Sequence, residues 1–106
     1  MDTAAQTQLN KMVERIISTV PTHTIYLFGS YARGDQRSGS DLDIYVLTDD
    51  QKRPIDYIHD IRYAISGIGG IPVDILALPR DRFDQRSRMR PTLEYTVVKE
   101  GRRIYG

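Results

Sequence analysis

Cysteine is absent from the 106 residues of the chain, which excludes disulfide bonds, thiolate zinc sites and cysteine nucleophiles. A strong charge of one sign is also lacking, because the formal net charge is +1, unlike the basic balance of proteins that bind nucleic acid directly. No apolar run approaches the roughly 18 residues that span a membrane. The start, MDTAAQTQLN, has neither the basic nor the apolar region of a signal peptide. We therefore expect a cytoplasmic protein with no membrane segment and no nucleic acid as its direct ligand.

The remaining composition predicts one domain that covers residues 1–106. Apolar residues at three- and four-residue steps predict helices, and β-branched or aromatic runs predict strands. We expect an α/β (α+β) fold with a small mixed β-sheet and helices packed on one face. The predicted elements are a helix at 9–20, a strand at 24–28, a helical turn at 30–34, a strand at 41–48, a helix from Pro54 to a stop at Gly67, a strand at 71–78, a helix between Pro91 and Gly101, and a short strand at 103–105.

The charged stretch 80–90 shows no apolar periodicity and holds five of the chain's arginines. Its simplest interpretation is an irregular, solvated segment. The functional alternative is a docking surface for an acidic partner or for the tail of a nucleotide.

Two carboxylates stand at the head of the strand predicted at 41–48. Side chains alternate along a strand, so Asp41 and Asp43 point to the same face. Carboxylates held that close repel each other unless a cation neutralises them, and hard oxygen ligands favour Mg²⁺ or Mn²⁺. Asp74, an acid inside the apolar strand at 71–78, adds a third carboxylate if its strand lies beside the first. We expect Asp74 to ligate a second metal ion and to accept a proton from the acceptor hydroxyl.

Gly29 and Ser30 stand where the first strand ends. A glycine there lets the backbone approach a ligand, and free amides at the start of a helical turn form an anion site. For this site to meet the aspartates, the first two strands must run antiparallel. Arg33 and Arg37 are close enough in sequence to reach the same phosphates, and Arg33 is the better candidate. Phosphoryl-type transfer requires this combination of phosphate donors and metal-binding acids.

Gly29-Ser30, then ten residues, Asp41-Leu42-Asp43 and finally Asp74 resemble the signature of the DNA polymerase β-like nucleotidyltransferase superfamily. The compact length, the stretch GSYARGDQRSGSDLDIYV and the closing EGRRIYG are similar to its minimal nucleotidyltransferases, the MNT or MntA type. The likeness covers nearly the whole chain, although the chemical motif is confined to residues 29–43 and 74.

The resemblance implies the nucleotidyltransferase fold and transfer of AMP from ATP, with two Mg²⁺ ions or Mn²⁺ as cofactor. Members of that group are commonly antitoxins paired with a HEPN-domain ribonuclease, so a tyrosine of such a partner is the implied acceptor. Metal ligation is carried over to Asp41, Asp43 and Asp74, and nucleotide contact to Gly29 and Ser30.

Plainer interpretations of each motif stay open at this point. Asp41 and Asp43 could form a solvated strand end, and Asp74 could pair with an arginine. Gly29-Ser30 could be an ordinary strand-to-helix turn with a capping serine.

Two other functions also stay open. The chain could be a binding module that blocks a partner by occlusion, or a transferase acting on RNA or a small molecule. The chain is too short to hold both a nucleotide and a large acceptor. We therefore expect another protein, or a second copy of this one, to complete the acceptor site.

Overall fold

The computed structural model describes all 106 residues, Met1 to Gly106. Helices and strands alternate along the first three quarters of the chain. The elements are α1 (Thr3–Thr19), β1 (Thr22–Phe28), α2 (Ser30–Arg33), β2 (Leu42–Thr48), α3 (Pro54–Ile65), β3 (Val73–Pro79), α4 (Arg80–Ser87), α5 (Leu93–Glu100) and β4 (Arg102–Tyr105). No helix combines the length and the apolar character that crossing a membrane requires.

The four strands form one mixed sheet in the order β3-β2-β1-β4. β1 pairs antiparallel with both β2 and β4, whereas β2 and β3 run parallel. The end of β1, the start of β2 and the start of β3 consequently meet at one edge of the sheet. The predicted mixed α/β fold and the antiparallel pairing of the first two strands are confirmed.

One face of the sheet packs against α1 and α3. α1 begins after Asp2, whose carboxylate accepts the amide of Ala5 at 2.8 Å, as an N-cap does. Its apolar residues recur at helical spacing and become one buried stripe, which meets alternate side chains of the strands. The cluster comprises Leu9, Met12, Ile16, Val20, Ile25, Leu27, Leu42, Ile44, Val46, Tyr57, Ile61, Ile75 and Ala77.

In addition to the face of packed helices expected from the sequence, α4 and α5 cover the opposite face of the sheet. Phe83 of α4 is 1% exposed and packs on Tyr45 in an edge-to-face contact, with ring centroids 4.9 Å apart. Its ring also stacks on Tyr26 at 5.8 Å. Val97 of α5 joins the same apolar cluster. Because β2 is covered on both faces, nearly all of its side chains are buried, which explains why its sequence is almost continuously apolar.

The irregular segment expected at 80–90 is a helix over most of its length. α4 has a single large apolar residue, Phe83, so no apolar stripe can be read from its sequence. Two smaller differences concern neighbouring helices. Ile55, an apolar residue in the helix predicted from Pro54, is 61% exposed, whereas Tyr57 of the same helix is buried. α5 begins at Leu93 rather than at Pro91, since Thr92 caps it by accepting the amide of Tyr95 at 3.1 Å.

Candidate active site

The three aspartates named from the sequence come together at one edge of the sheet. Asp43 of β2 lies directly opposite Asp74 of β3 in the parallel ladder. Asp41 lies one residue before β2 and shares the face of Asp43 by strand alternation. This face also carries Tyr45, so the carboxylates lie on the side of α4 and α5. The sheet therefore places Asp74 beside Asp43, as expected if the strand of Asp74 lies next to β2.

Burial and the neighbouring acids both raise the pKa values of two of the carboxylates. Partial burial, followed by a hydrogen bond with Asp74 and its negative charge, raises the pKa of Asp41. Partial burial also raises the pKa of Asp43, and the charges of Asp74 and Asp41 add to that shift. The guanidinium of Arg33 acts in the opposite direction on Asp43. The three carboxylates are thus close enough for each negative charge to disfavour the charged form of its neighbours.

The aspartates do not form a finished coordination sphere. No group of three or more Asp, Glu, His or Cys side chains is arranged in the structure so that it could hold a metal ion as it stands. The donors themselves suit a hard divalent cation, because all three are carboxylates on neighbouring strand positions. The predicted metal ligation by Asp41, Asp43 and Asp74 stays a prediction.

Gly29 directly adjoins the carboxylate of Asp43. Its backbone has φ +74° and ψ −156°, a conformation that is essentially restricted to glycine. A Cβ at this position would overlap the Oδ2 atom of Asp43. Only a residue without a side chain lets the backbone turn from β1 into α2 beside the aspartate. The sequence suggested close backbone approach at Gly29, and the structure shows which group it approaches.

Ser30 opens the one-turn helix α2 as predicted. The first amides to bond back are those of Ala32 and Arg33, both to the carbonyl of Gly29 at 3.1 Å. The amides of Ser30 and Tyr31 therefore have no acceptor within the turn. Together with the Ser30 hydroxyl, they are donors available to an anion placed above the end of β1. The nucleotide contacts assigned to Gly29 and Ser30 stay predictions.

The two arginines named from the sequence have different surroundings. Arg33 pairs with Asp35 at 3.2 Å and remains 46% exposed, and its charge reaches Asp43. Arg37 is exposed, and only its backbone takes part in a turn with Ser40. Arg33 thus remains the better candidate for phosphate contact.

One buried polar contact beside the site was missed by the sequence interpretation. Glu94 of α5, 5% exposed, accepts a hydrogen bond from the Tyr45 hydroxyl at 2.6 Å and another from Arg86 at 2.8 Å. Tyr45 lies two residues after Asp43 on the same face of β2. The contact therefore anchors α4 and α5 to the strand that carries the catalytic candidates. Glu94 stands in an amphipathic helix among exposed charges, and nothing in the sequence marked it as buried.

Comparisons with known proteins agree with this geometry. The profile of the nucleotidyltransferase domain family matches residues 9–104. The protein adenylyltransferase MntA of Shewanella oneidensis is 33% identical over 92% of this chain, and the match spans 64% of its own length. A candidate protein adenylyltransferase of Methanocaldococcus jannaschii is 31% identical over 76% of each chain. A toxin–antitoxin crystal structure with AMP-PNP superposes with a TM-score of 0.60 at 26% identity, covering 92% of this chain and 72% of that one.

The relatives by sequence and the neighbour by structure agree with one another. The relatives named above are adenylyltransferases by name, and the family profile spans the sheet, the Gly-Ser turn and all three aspartates. The resemblance to MntA-type proteins is confirmed by both kinds of comparison. The chain therefore belongs to the nucleotidyltransferase domain family, as the Gly-Ser and aspartate motifs predicted.

Proposed function

We propose that this protein transfers AMP from ATP, with Mg²⁺, to the hydroxyl of a protein, namely a tyrosine of a HEPN-type toxin for which it is the antitoxin. Two of its relatives are adenylyltransferases by name, and a structural neighbour is a toxin–antitoxin complex with an ATP analogue. Family membership supplies the reaction class. The acceptor, the nucleotide and the metal are parts of the proposal.

The position of Asp43 between Gly29 and Asp74 is the observation that carries the proposal. On one side its carboxylate meets the backbone of Gly29, where the anion-binding turn begins. On the other side Asp74 lies directly across the parallel ladder. The turn that would hold the phosphates is thus adjacent to the acids that would hold the metal, as phosphoryl-type transfer requires.

The acids and the Gly-Ser turn have different roles in the proposed reaction. Asp41, Asp43 and Asp74 would hold Mg²⁺, which when bound neutralises phosphate charge and activates the attacking hydroxyl. The amides of Ser30 and Tyr31 bind the triphosphate, and Arg33 adds a positive charge beside it.

The chemical step is a substitution at the α-phosphorus of ATP. The acceptor oxygen forms a bond to that phosphorus, while the bond from the same phosphorus to the β-phosphate oxygen breaks and pyrophosphate leaves. The hydroxyl proton passes to the carboxylate of Asp74 and then to water.

The acceptor comes from outside the chain. α4 and α5 cover part of the sheet face that carries the aspartates, and an acceptor would approach at the edge of the sheet that these helices leave open. A structural neighbour, 27% identical with a TM-score of 0.57, is a crystal structure of the toxin–antitoxin pair MntA–HpeT. A HEPN-type partner that offers a tyrosine at the open edge of the site fits this arrangement.

Label transfer with an Asp43→Asn variant tests the proposal. Wild-type protein, a HEPN-domain partner and Mg²⁺ are incubated with ATP labelled at the α-phosphate or, separately, at the γ-phosphate. Only the α-label is expected on the partner, and the Asp43→Asn protein should transfer it at least about 100-fold more slowly because a charged group acting on the transition state is lost.

The matched control is Asp84→Asn, which removes an exposed carboxylate from α4 and leaves the site intact. Unchanged labelling by the Asp43→Asn protein contradicts the assignment. If that variant still neutralises the toxin on co-expression at normal levels, occlusion rather than catalysis is the antitoxin mechanism.

A further inference from the structure

A cavity of about 660 Å³ lies behind the sheet, away from the aspartates. Its walls are one side of α1 from the N-cap Asp2 to Arg15, the loop 67–71 between α3 and β3, and Tyr31. Tyr31, Ile68 and Ile71 pack against the apolar cluster on the α1 and α3 face, opposite to the face of Asp43. The volume falls within the roughly 300–1,000 Å³ of small-molecule pockets.

Two cations on α1 face this cavity without a carboxylate partner. Lys11 and Arg15 lie one helical turn apart, and neither forms an ion pair. Arg15 donates one hydrogen bond, to the carbonyl of Ala64 at 3.3 Å. The acid in the lining, Asp2, already accepts the amide of Ala5. Like charges at this spacing destabilise a helix, so an anion between them would stabilise the fold.

The loop that forms the opposite wall is rigidly held and rich in free amides. The side chain of Gln8, 6% exposed, accepts the amide of Ile71 at 2.8 Å and donates to its carbonyl at 2.7 Å. The amides of Gly67, Gly69 and Gly70 have no backbone acceptor within the chain. A fixed glycine loop with unpaired amides is a common component of phosphate sites.

We propose that this cavity is a second ligand site, which binds a phosphate-bearing small molecule of mononucleotide size. Arginine binds phosphate through its planar fork and lysine as a point charge, and the glycine amides add neutral donors. Tyr31 and Ile68 give the apolar surface on which a base or sugar ring packs. The net formal charge of the lining, +1 from two cations and one acid, favours an anion.

The site does not depend on the reaction proposed above, although the glycine loop leads into β3, the strand that carries Asp74. Beyond the glycine loop, the carbonyl of Pro72 accepts the amide of Leu42 at 2.9 Å, and Asp74 follows two residues later. Binding is tested without metal and without turnover, so the outcome is separate from that of the adenylyl transfer assay.

The test is an NMR titration of the full-length, ¹⁵N-labelled protein with AMP in EDTA, with adenosine as the uncharged counterpart. AMP should shift the amides of Gly67, Gly69 and Gly70 with a Kd below about 1 mM, and adenosine should not. Lys11→Gln and Arg15→Gln should each weaken AMP binding at least about ten-fold through loss of a charged hydrogen bond. Lys52→Gln, which removes an exposed lysine outside the cavity lining, is the matched control.

Thermal unfolding of the three variants shows that each is folded before it is titrated. Glycine-loop shifts that need the phosphate and Lys11 support the second site. The proposal is overturned if about 10 mM AMP leaves these amides unmoved, if adenosine shifts them equally, or if Lys11→Gln binds AMP as tightly as Lys52→Gln. Shifts confined to the amides of residues 41–43 also overturn it, because they place AMP at the aspartates.

Discussion

The carboxylate of Asp43 occupies the space that a side chain at Gly29 would need. Gly29 directly follows β1, and Phe28, the last residue of that strand, is the ladder partner of Asp43 in the neighbouring antiparallel strand β2. The glycine of the Gly-Ser pair is therefore required for two reasons, its backbone conformation and the room it leaves for an acid.

The first prediction is that Gly29→Ala both destabilises the protein and abolishes transfer. The backbone conformation alone costs about 1–3 kcal/mol for a residue with a Cβ, and the overlap with Asp43 forces the carboxylate to move. Denaturant unfolding gives the change in the free energy of unfolding, and label transfer from ATP gives the activity.

Gly39→Ala is the matched control for this change. Gly39 also has a positive φ, +89°, but a Cβ there meets nothing within 4 Å. The Gly39→Ala protein should be less stable because of backbone strain, but it should still transfer the label. Equal activity in the Gly29→Ala and Gly39→Ala proteins would show that contact with Asp43 does not position the acid.

The convergence of the candidate site residues could be predicted from the sequence, because it follows mainly from short-range rules. Alternation along one strand puts Asp41 and Asp43 on one face, and a glycine at a strand end marks close approach. Placing Asp74 beside these residues required one further assumption, that its strand lies next to β2. The parallel pairing of β2 with β3 confirms that assumption.

The second layer of helices could not be predicted, since it depends on tertiary contacts. Eight residues of α4 contain one large apolar side chain, and Phe83 is buried because two tyrosines from different strands meet it. Glu94 is buried because Tyr45 and Arg86 supply its hydrogen bonds. Partners so distant in sequence leave no local pattern.

The second prediction concerns acid stability and Glu94. Burial alone would raise the pKa of Glu94, but hydrogen bonds from Tyr45 and Arg86 outweigh it and hold the pKa below its ordinary value of 4.5. A carboxyl group whose pKa is lower in the folded than in the unfolded state stabilises the fold above the unfolded pKa. That stability is lost as the pH falls from 4.5 through the folded value.

Glu94→Gln should therefore destabilise the protein at pH 7 by about 1–3 kcal/mol, since a charged hydrogen bond is replaced by a neutral one. The difference from wild type should shrink as the pH falls below 4.5. Urea unfolding at several pH values between about 7 and 3 measures this difference in the free energy of unfolding. Asp84→Asn, which removes an exposed acid from the neighbouring helix, is the control. If the difference in the free energy of unfolding between wild type and Glu94→Gln stays constant down to about pH 3, the Glu94 carboxylate is not the source of this pH dependence.

The third prediction is that α4 is held to the sheet by Phe83. The ring is 1% exposed and contacts both Tyr26 and Tyr45, so Phe83→Ala should lower the free energy of unfolding by about 3–5 kcal/mol. Met89→Ala, at a residue just beyond the helix that is 47% exposed, should change it by less than about 0.5 kcal/mol.

Hydrogen exchange of the Phe83→Ala protein separates loss of α4 from global unfolding. Loss of the ring should release the amides of α4 and α5 first, because their contact with the sheet runs through this aromatic cluster. The amides of α1 and α3 should keep their protection, since those helices pack on the opposite face. Simultaneous loss of protection in all four helices would instead show that both layers unfold as one cooperative unit. In such a unit α4 and α5 could not loosen to admit an acceptor while the Gly-Ser turn and the aspartates stay in place.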